Sequence, residues 1–165
     1  MTVLRDLFEL TKLNPSRKTI NVLGEDLVYD FVWKDGIPIS EINHFEQVHG
    51  ISIPSEYKEF LTYSNGADIF LCDDGNSGYH LFSLDELISE NEWIKEAYAL
   101  ENDDLVFMNM VYSSDFLMFK STNRKIVYCD TGEQNDNWVN LSMDFNYLIL
   151  RLVWSNGRPF WEWYY

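Results

Sequence analysis

Basic residues are scarce in this chain. Its 165 residues carry 12 Lys+Arg against 27 Asp+Glu, a formal net charge of −15. A field of that sign repels DNA, RNA and anionic membranes and attracts basic proteins. Cysteine is nearly absent. Cys72 and Cys129 stand far apart in apolar, strand-like runs with no neighbouring ligand pattern. That argues against a disulfide framework or a zinc site and predicts two buried, reduced thiols. Of the three histidines, His44 and His49 lie five apart on an expected helix. That spacing turns them about 140° around its axis, so they do not converge on one metal. No apolar run reaches the roughly 18 residues that a membrane helix needs. Met1 to Leu10 is amphipathic, without the apolar core of a signal peptide. The chain therefore reads as cytoplasmic, with no membrane contact.

Motifs for chemistry are also missing. There is no G-x-x-x-x-G-K-[ST] and no G-x-G-x-x-G, so no phosphate cradle is expected. Gly75-Asn-Ser-Gly lacks the residue that a nucleophile elbow places between serine and the second glycine. The turn from Asp73 to Gly78 has glycine where a calcium loop needs its second ligand, and Leu84 where it needs the closing glutamate. No catalytic group, cofactor or metal is assigned. A chain with ample core and no reaction centre reads as a binder, not an enzyme.

What is present is concentrated. Residues 41–113 hold 15 acids and 2 bases, whereas the segments before and after each hold 6 acids and 5 bases. Aromatics are abundant, with 11 Phe, 10 Tyr and 6 Trp. At this length about 70% of the unfolded surface can be buried in one domain.

The pattern of elements is mixed. Residues 2–13 predict a helix with Val3, Leu4, Leu7, Phe8 and Leu10 on one face, and 27–33 predict a strand. Ser40 is placed to cap a helix over 41–49, with Ile42, Phe45 and Val48 or His49 inward and Gly50 at its end. After a short extended link, Pro54 and Ser55 start a second helix. Its stripe is Tyr57, Phe60, Leu61 and Ser64, with Glu56, Lys58 and Glu59 toward water and Asn65-Gly66 as its stop. Strands at 67–72 and 79–82 form a hairpin with a long loop. Ser83-x-x-Glu86 is a capping box opening a helix that breaks near Glu90 and resumes at Trp93. Another strand opens at 105, and 115–120 with 125–130 form the plainest hairpin. Residues 142–154 predict a helix facing inward through Phe145, Leu148, Ile149 and Leu152. The aromatic tail ends in Trp161 and Trp163, which either close the core or support self-association. The order implies an α+β fold: a mostly antiparallel sheet flanked by helices.

Glu41-Ile-Asn-His-Phe-Glu46, Gly50-Ile-Ser-Ile-Pro-Ser-Glu-Tyr-Lys-Glu-Phe-Leu61 and Asn65-Gly66 together resemble the SUKH superfamily. That superfamily contains fungal cell-wall glucan-synthesis regulators and bacterial immunity proteins. Leu81 to Leu87, the hairpin at 115–130 and the closing helix extend the resemblance over about residues 38–154. Residues 1–37 stand outside it as an N-terminal extension packed on a 38–165 domain. The resemblance implies a non-enzymatic immunity protein that binds a cognate toxin domain, of basic, nuclease type given the acidic middle third. The alternative it leaves open is a regulatory scaffold similar to the glucan-synthesis regulators. Partner contacts are expected at Asp68, Asp73, Asp74, Glu90, Glu92, Trp93, Glu101, Asp103 and Asp104. Pro54, Tyr57, Phe60, Asn65 and Gly66 are expected to serve the fold.

Overall fold

The computed structural model describes residues 2–20, 26–72 and 78–161. The expected loop contacts Asp73 and Asp74, and Trp163, lie outside the described residues. Helix α1 (Val3–Thr11) precedes β1 (Arg17–Ile20) and β2 (Asp26–Trp33). Helices α2 (Ile39–His49) and α3 (Ser55–Tyr63) follow, then β3 (Ala67–Cys72), β4 (Tyr79–Leu81) and α4 (Glu86–Tyr98). Strands β5 (Leu105–Met110), β6 (Phe116–Phe119), β7 (Ile126–Cys129) and β8 (Val139–Asn140) lead to α5 (Phe145–Trp154). All eight strands form one antiparallel meander in chain order. The fold is thus α+β. Strand β1 pairs with β2 and β2 with β3, so both early strands are continuous with the sheet.

Side-chain alternation assigns the two faces of the sheet. On one face Phe119 of β6 stacks on Phe107 of β5, with ring centroids 4.1 Å apart, beneath Tyr57 of α3 and Phe145 of α5. Phe116, three residues back on β6, points the other way and meets Tyr98 of α4. Helix α4 therefore covers the second face, while α3 and α5 cover the first. Trp161 is fully buried, stacked on Tyr128 and edge-on to Tyr79, so it closes the core.

The stripe of α3 is as expected, with Tyr57, Phe60, Leu61 and Ser64 all buried. Its start is not: Pro54 occupies the N-cap, and no side chain bonds the first turn. Lys58 is half-buried against Glu46 at 3.0 Å, and Glu46 also accepts from the Ile53 N–H at 2.7 Å, which fixes the α2–α3 corner. Asn65 does more than end a helix. Its side-chain oxygen accepts from the Leu84 N–H at 2.8 Å, tying the end of α3 to the start of α4. Gly66 has φ +92°, and a Cβ there would sit 3.0 Å from the Ser83 nitrogen. The backbone conformation and the close approach both require glycine.

Further expectations are corrected. Helix α2 starts at Ile39 with Pro38 at its N-cap, so Ser40 lies inside the helix and does not cap it. Helix α4 is continuous, because Asn91 is buried in its middle and its side-chain amide bonds both backbone groups of Val106. Val48 and His49 of α2 face solvent, as does Leu10 of α1. Strands β1 and β8 are additional. Both cysteines are buried, and burial pushes the Cys129 thiol above its ordinary range. Among the described residues no helix is long and apolar enough to cross a membrane.

Candidate partner-binding surface

Helix α4 is held at three points, which leaves its outer face to solvent. The capping box forms at its start: the Ser83 N–H donates to Glu86 Oε2 at 2.7 Å, and the Glu86 N–H donates to Ser83 Oγ at 3.4 Å. Leu87 and Ile94 are buried beneath the helix, and Asn91 ties its centre to β5.

The free face carries Trp93, 55% exposed, which is unusual for so large an apolar ring. Trp93 Nε1 donates to Glu90 at 3.0 Å, so the ring is oriented by its neighbour. Glu92 and Glu96 are exposed beside it, and Ser89 and Ala97, one turn away on either side, are small. The indole therefore lies on the solvent-facing side of α4 amid carboxylates. Glu101 and Asp103 extend the acidic surface into the turn after α4. Lys95, the one base between residues 85 and 104, bends back to donate to the Asn102 carbonyl at 2.6 Å. Burial lowers its pKa, against the upward pull of Asp104 and Asp103.

The structure thus brings Glu90, Glu92 and Trp93 together on α4, with Glu101 and Asp103 adjoining in sequence and space. Asp104 is corrected: it is 0% exposed and faces inward. Its carboxylate accepts from Lys120 at 2.7 Å and from the Ser121 N–H at 2.8 Å. Burial alone would raise its pKa, but these bonds outweigh it and hold the carboxyl below its ordinary value. Glu96 was missed, although its i+3 spacing from Trp93 is legible.

Asp68 sits apart, on β3 opposite His80 of β4. His80 Nδ1 lies 2.6 Å from Asp68, and Nε2 lies 3.2 Å from Glu86. Lys34 reaches the same Glu86 oxygen at 3.5 Å. With both ring nitrogens engaged, His80 is a clamp between the sheet and the start of α4, and neither nitrogen is left to serve as a base. Among the described residues no group of His, Cys, Asp and Glu is arranged to hold a metal.

The clamp makes stability depend on pH. The Asp68 hydrogen bond raises the His80 pKa above 6.5; burial opposes this and Glu86 adds to it. For Glu86, burial acts upward, but Ser83, His80 and Lys34 outweigh it and bring the carboxyl down to about 2. A group with a raised folded pKa holds its proton more tightly in the folded state. The His80 contribution is therefore complete below 6.5 and lost as pH rises through the folded value. The expected result is a Tm that falls as pH rises above 6.5, with His80→Gln flattening the curve in that window. Thermal melts of both proteins across a pH series check this; parallel curves would contradict the clamp.

A family model described as SMI1 / KNR4 family (SUKH-1) matches residues 36–151. The uncharacterized protein YobM of Bacillus subtilis (strain 168) is 28% identical over 145 residues, covering 80% of this chain and 74% of that one. The uncharacterized protein YnaB of the same strain is 30% identical over 146 residues, covering 84% of this chain and 90% of that one.

Proposed function

The chain belongs to the SMI1 / KNR4 family (SUKH-1), and on that premise we propose that it is a bacterial immunity protein. It binds a basic toxin domain of nuclease type, covers the surface that the toxin uses for nucleic acid, and performs no catalysis. The observation that carries this reading is Trp93, exposed on the acidic outer face of α4 and oriented by Glu90. An oriented aromatic ring ringed by one sign of charge combines an anchor with a steering field. Nucleases hold phosphates and are basic at their active faces, so carboxylates at Glu92, Glu96, Glu101 and Asp103 are complementary to them. Asp104 has no part in the contact, because its charge is spent inside the protein.

Co-expression tests the proposal. A basic, nuclease-type toxin domain whose gene adjoins that of this chain is expected to arrest growth alone, and growth is expected to recover when this protein is made with it. The variant Glu92→Lys, Trp93→Ala, Glu96→Lys is expected to fold, since all three side chains are exposed, and to lose protection. Continued arrest with the wild-type protein present and folded would overturn the reading.

A further inference from the structure

Beside the C-terminal end of α4 lies a groove of about 460 Å³ on the same face of the sheet. Its floor is Met118 of β6 and Val127 of β7, which are cross-strand partners. One wall is Trp138. This ring is fixed by three contacts: its Nε1 donates to the Asp130 carbonyl at 2.9 Å, and its faces and edges meet Tyr98 at 5.8 Å and Phe116 at 5.5 Å. Trp138 remains half-buried, so part of the indole borders the groove. Exposed Glu101 and Asp136 line the same groove.

Three features set the charge of this space. Glu101 and Asp136 are carboxylates with no ion pair among the described residues. Lys120 also lines the groove, but its ammonium is neutralised by Asp104 at 2.7 Å. Helix α4 ends at Tyr98, its C-cap Ala99 lines the groove as well, and a helix C-terminus carries partial negative charge. Asn135 gives its amide nitrogen to the Tyr98 carbonyl at 2.5 Å, which leaves its amide oxygen as an acceptor.

We propose that this groove is a socket for an arginine side chain of the protein partner. A flat aromatic wall, two carboxylates, an amide oxygen and a helix C-terminus match a planar cation with five donors. Guanidinium is weakly hydrated and stacks on aromatic faces, whereas an ammonium is a compact, strongly hydrated point charge. Anionic groups are repelled, and a purely aliphatic side chain leaves both carboxylates unanswered. Glu101 belongs both to this groove and to the acidic surface that continues from α4. A partner seated on Trp93 therefore reaches the socket without leaving the helix. The inference rests on the reading of a basic protein partner for its biological meaning, but its test needs no toxin.

The test uses the full-length protein labelled with nitrogen-15 and titrated with N-acetyl-arginine methylamide. Three further titrants are the citrulline analogue, which is neutral but nearly the same shape, the lysine analogue, and a neutral disaccharide. Saturable shifts are expected at the Trp138 indole N–H and the Asn135 side-chain amide. Citrulline is expected to bind about tenfold or more weakly, with lysine between the two. Glu101→Gln with Asp136→Asn is expected to weaken arginine about tenfold while leaving the Tm unchanged. Equal binding of citrulline, saturation by the disaccharide instead, or shifts spread over α4 without the groove would each overturn the socket. Arginine binding without protection from the toxin would count against the immunity reading alone; protection without arginine binding would count against the socket alone.

Discussion

Replacing Lys120 by methionine is expected to cost about 3–5 kcal/mol, the range for a buried carboxylate stripped of its partner. Lys120 is one-third exposed, whereas the Asp104 side chain is 0% exposed. Asp104 is enclosed and recovers little hydration when the ammonium is removed, and Ser121, through its N–H at 2.8 Å and its side chain, is left to hold it. The converse change is expected to be milder. Asp104→Asn keeps an oxygen for the Ser121 N–H, and the Lys120 ammonium turns to water, so about 1–2 kcal/mol is expected. Urea denaturation of both variants decides the point. If Asp104→Asn is the more damaging change, then Asp104 is not the desolvated partner, and its place inside the protein is wrong.

Tyr57→Ala is expected to be equally severe, at about 3–5 kcal/mol. The ring is fully buried and lies 5.2 Å from Phe60, 5.2 Å from Phe145 and 5.6 Å from Phe107. Alanine would leave a cavity between α3, α5 and the sheet. The hydroxyl adds a separable contribution. It lies 2.7 Å from the Phe82 carbonyl and 3.0 Å from that of Phe107, and its single proton is shared between them. Phe107 already accepts from the Phe82 N–H at 2.9 Å, so Tyr57→Phe deprives chiefly Phe82. That variant is expected to cost about 1–2 kcal/mol. Near-equal losses for the two variants would mean that the hydroxyl, not the packing, makes Tyr57 important.

Local signals made part of this fold legible from sequence. Proline ahead of the Tyr57/Phe60/Leu61 stripe, the Ser83/Glu86 capping box and the period of α5 each specify structure within one or two turns. The hairpin of β6 and β7 was equally plain. Strand β8, by contrast, has two residues and no period to read. A break near Glu90 is expected from sequence, yet α4 runs unbroken through Asn91. Only its pairing with Val106, 15 positions away, explains a buried amide in mid-helix. The His80 clamp likewise depends on strand register, which places Asp68 opposite it.

The candidate surface was legible in sum and less so in detail. Charge counting located the acidic middle third, but composition cannot tell a solvated carboxylate from an enclosed one. Asp103 and Asp104 are neighbours in sequence, yet one is exposed and the other inside. The difference is set by Lys120 and Ser121, which arrive from the end of β6. Glu96 shares a helical face with Trp93 at i+3, but sequence does not show that this face, and not another, is the one turned to solvent.

The central claim is that the outer face of α4 meets a basic toxin domain. The most direct measurement is the Kd of the purified protein for the basic toxin domain that it is proposed to bind, by calorimetry at about 50 mM and about 200 mM salt. The wild-type protein is expected to bind about tenfold or more weakly at the higher salt. Glu92→Lys, Trp93→Ala, Glu96→Lys is expected to lose about a hundredfold or more in affinity, together with most of that salt dependence. Unchanged affinity and salt dependence in the folded variant would contradict the claim and move the interface elsewhere on the protein.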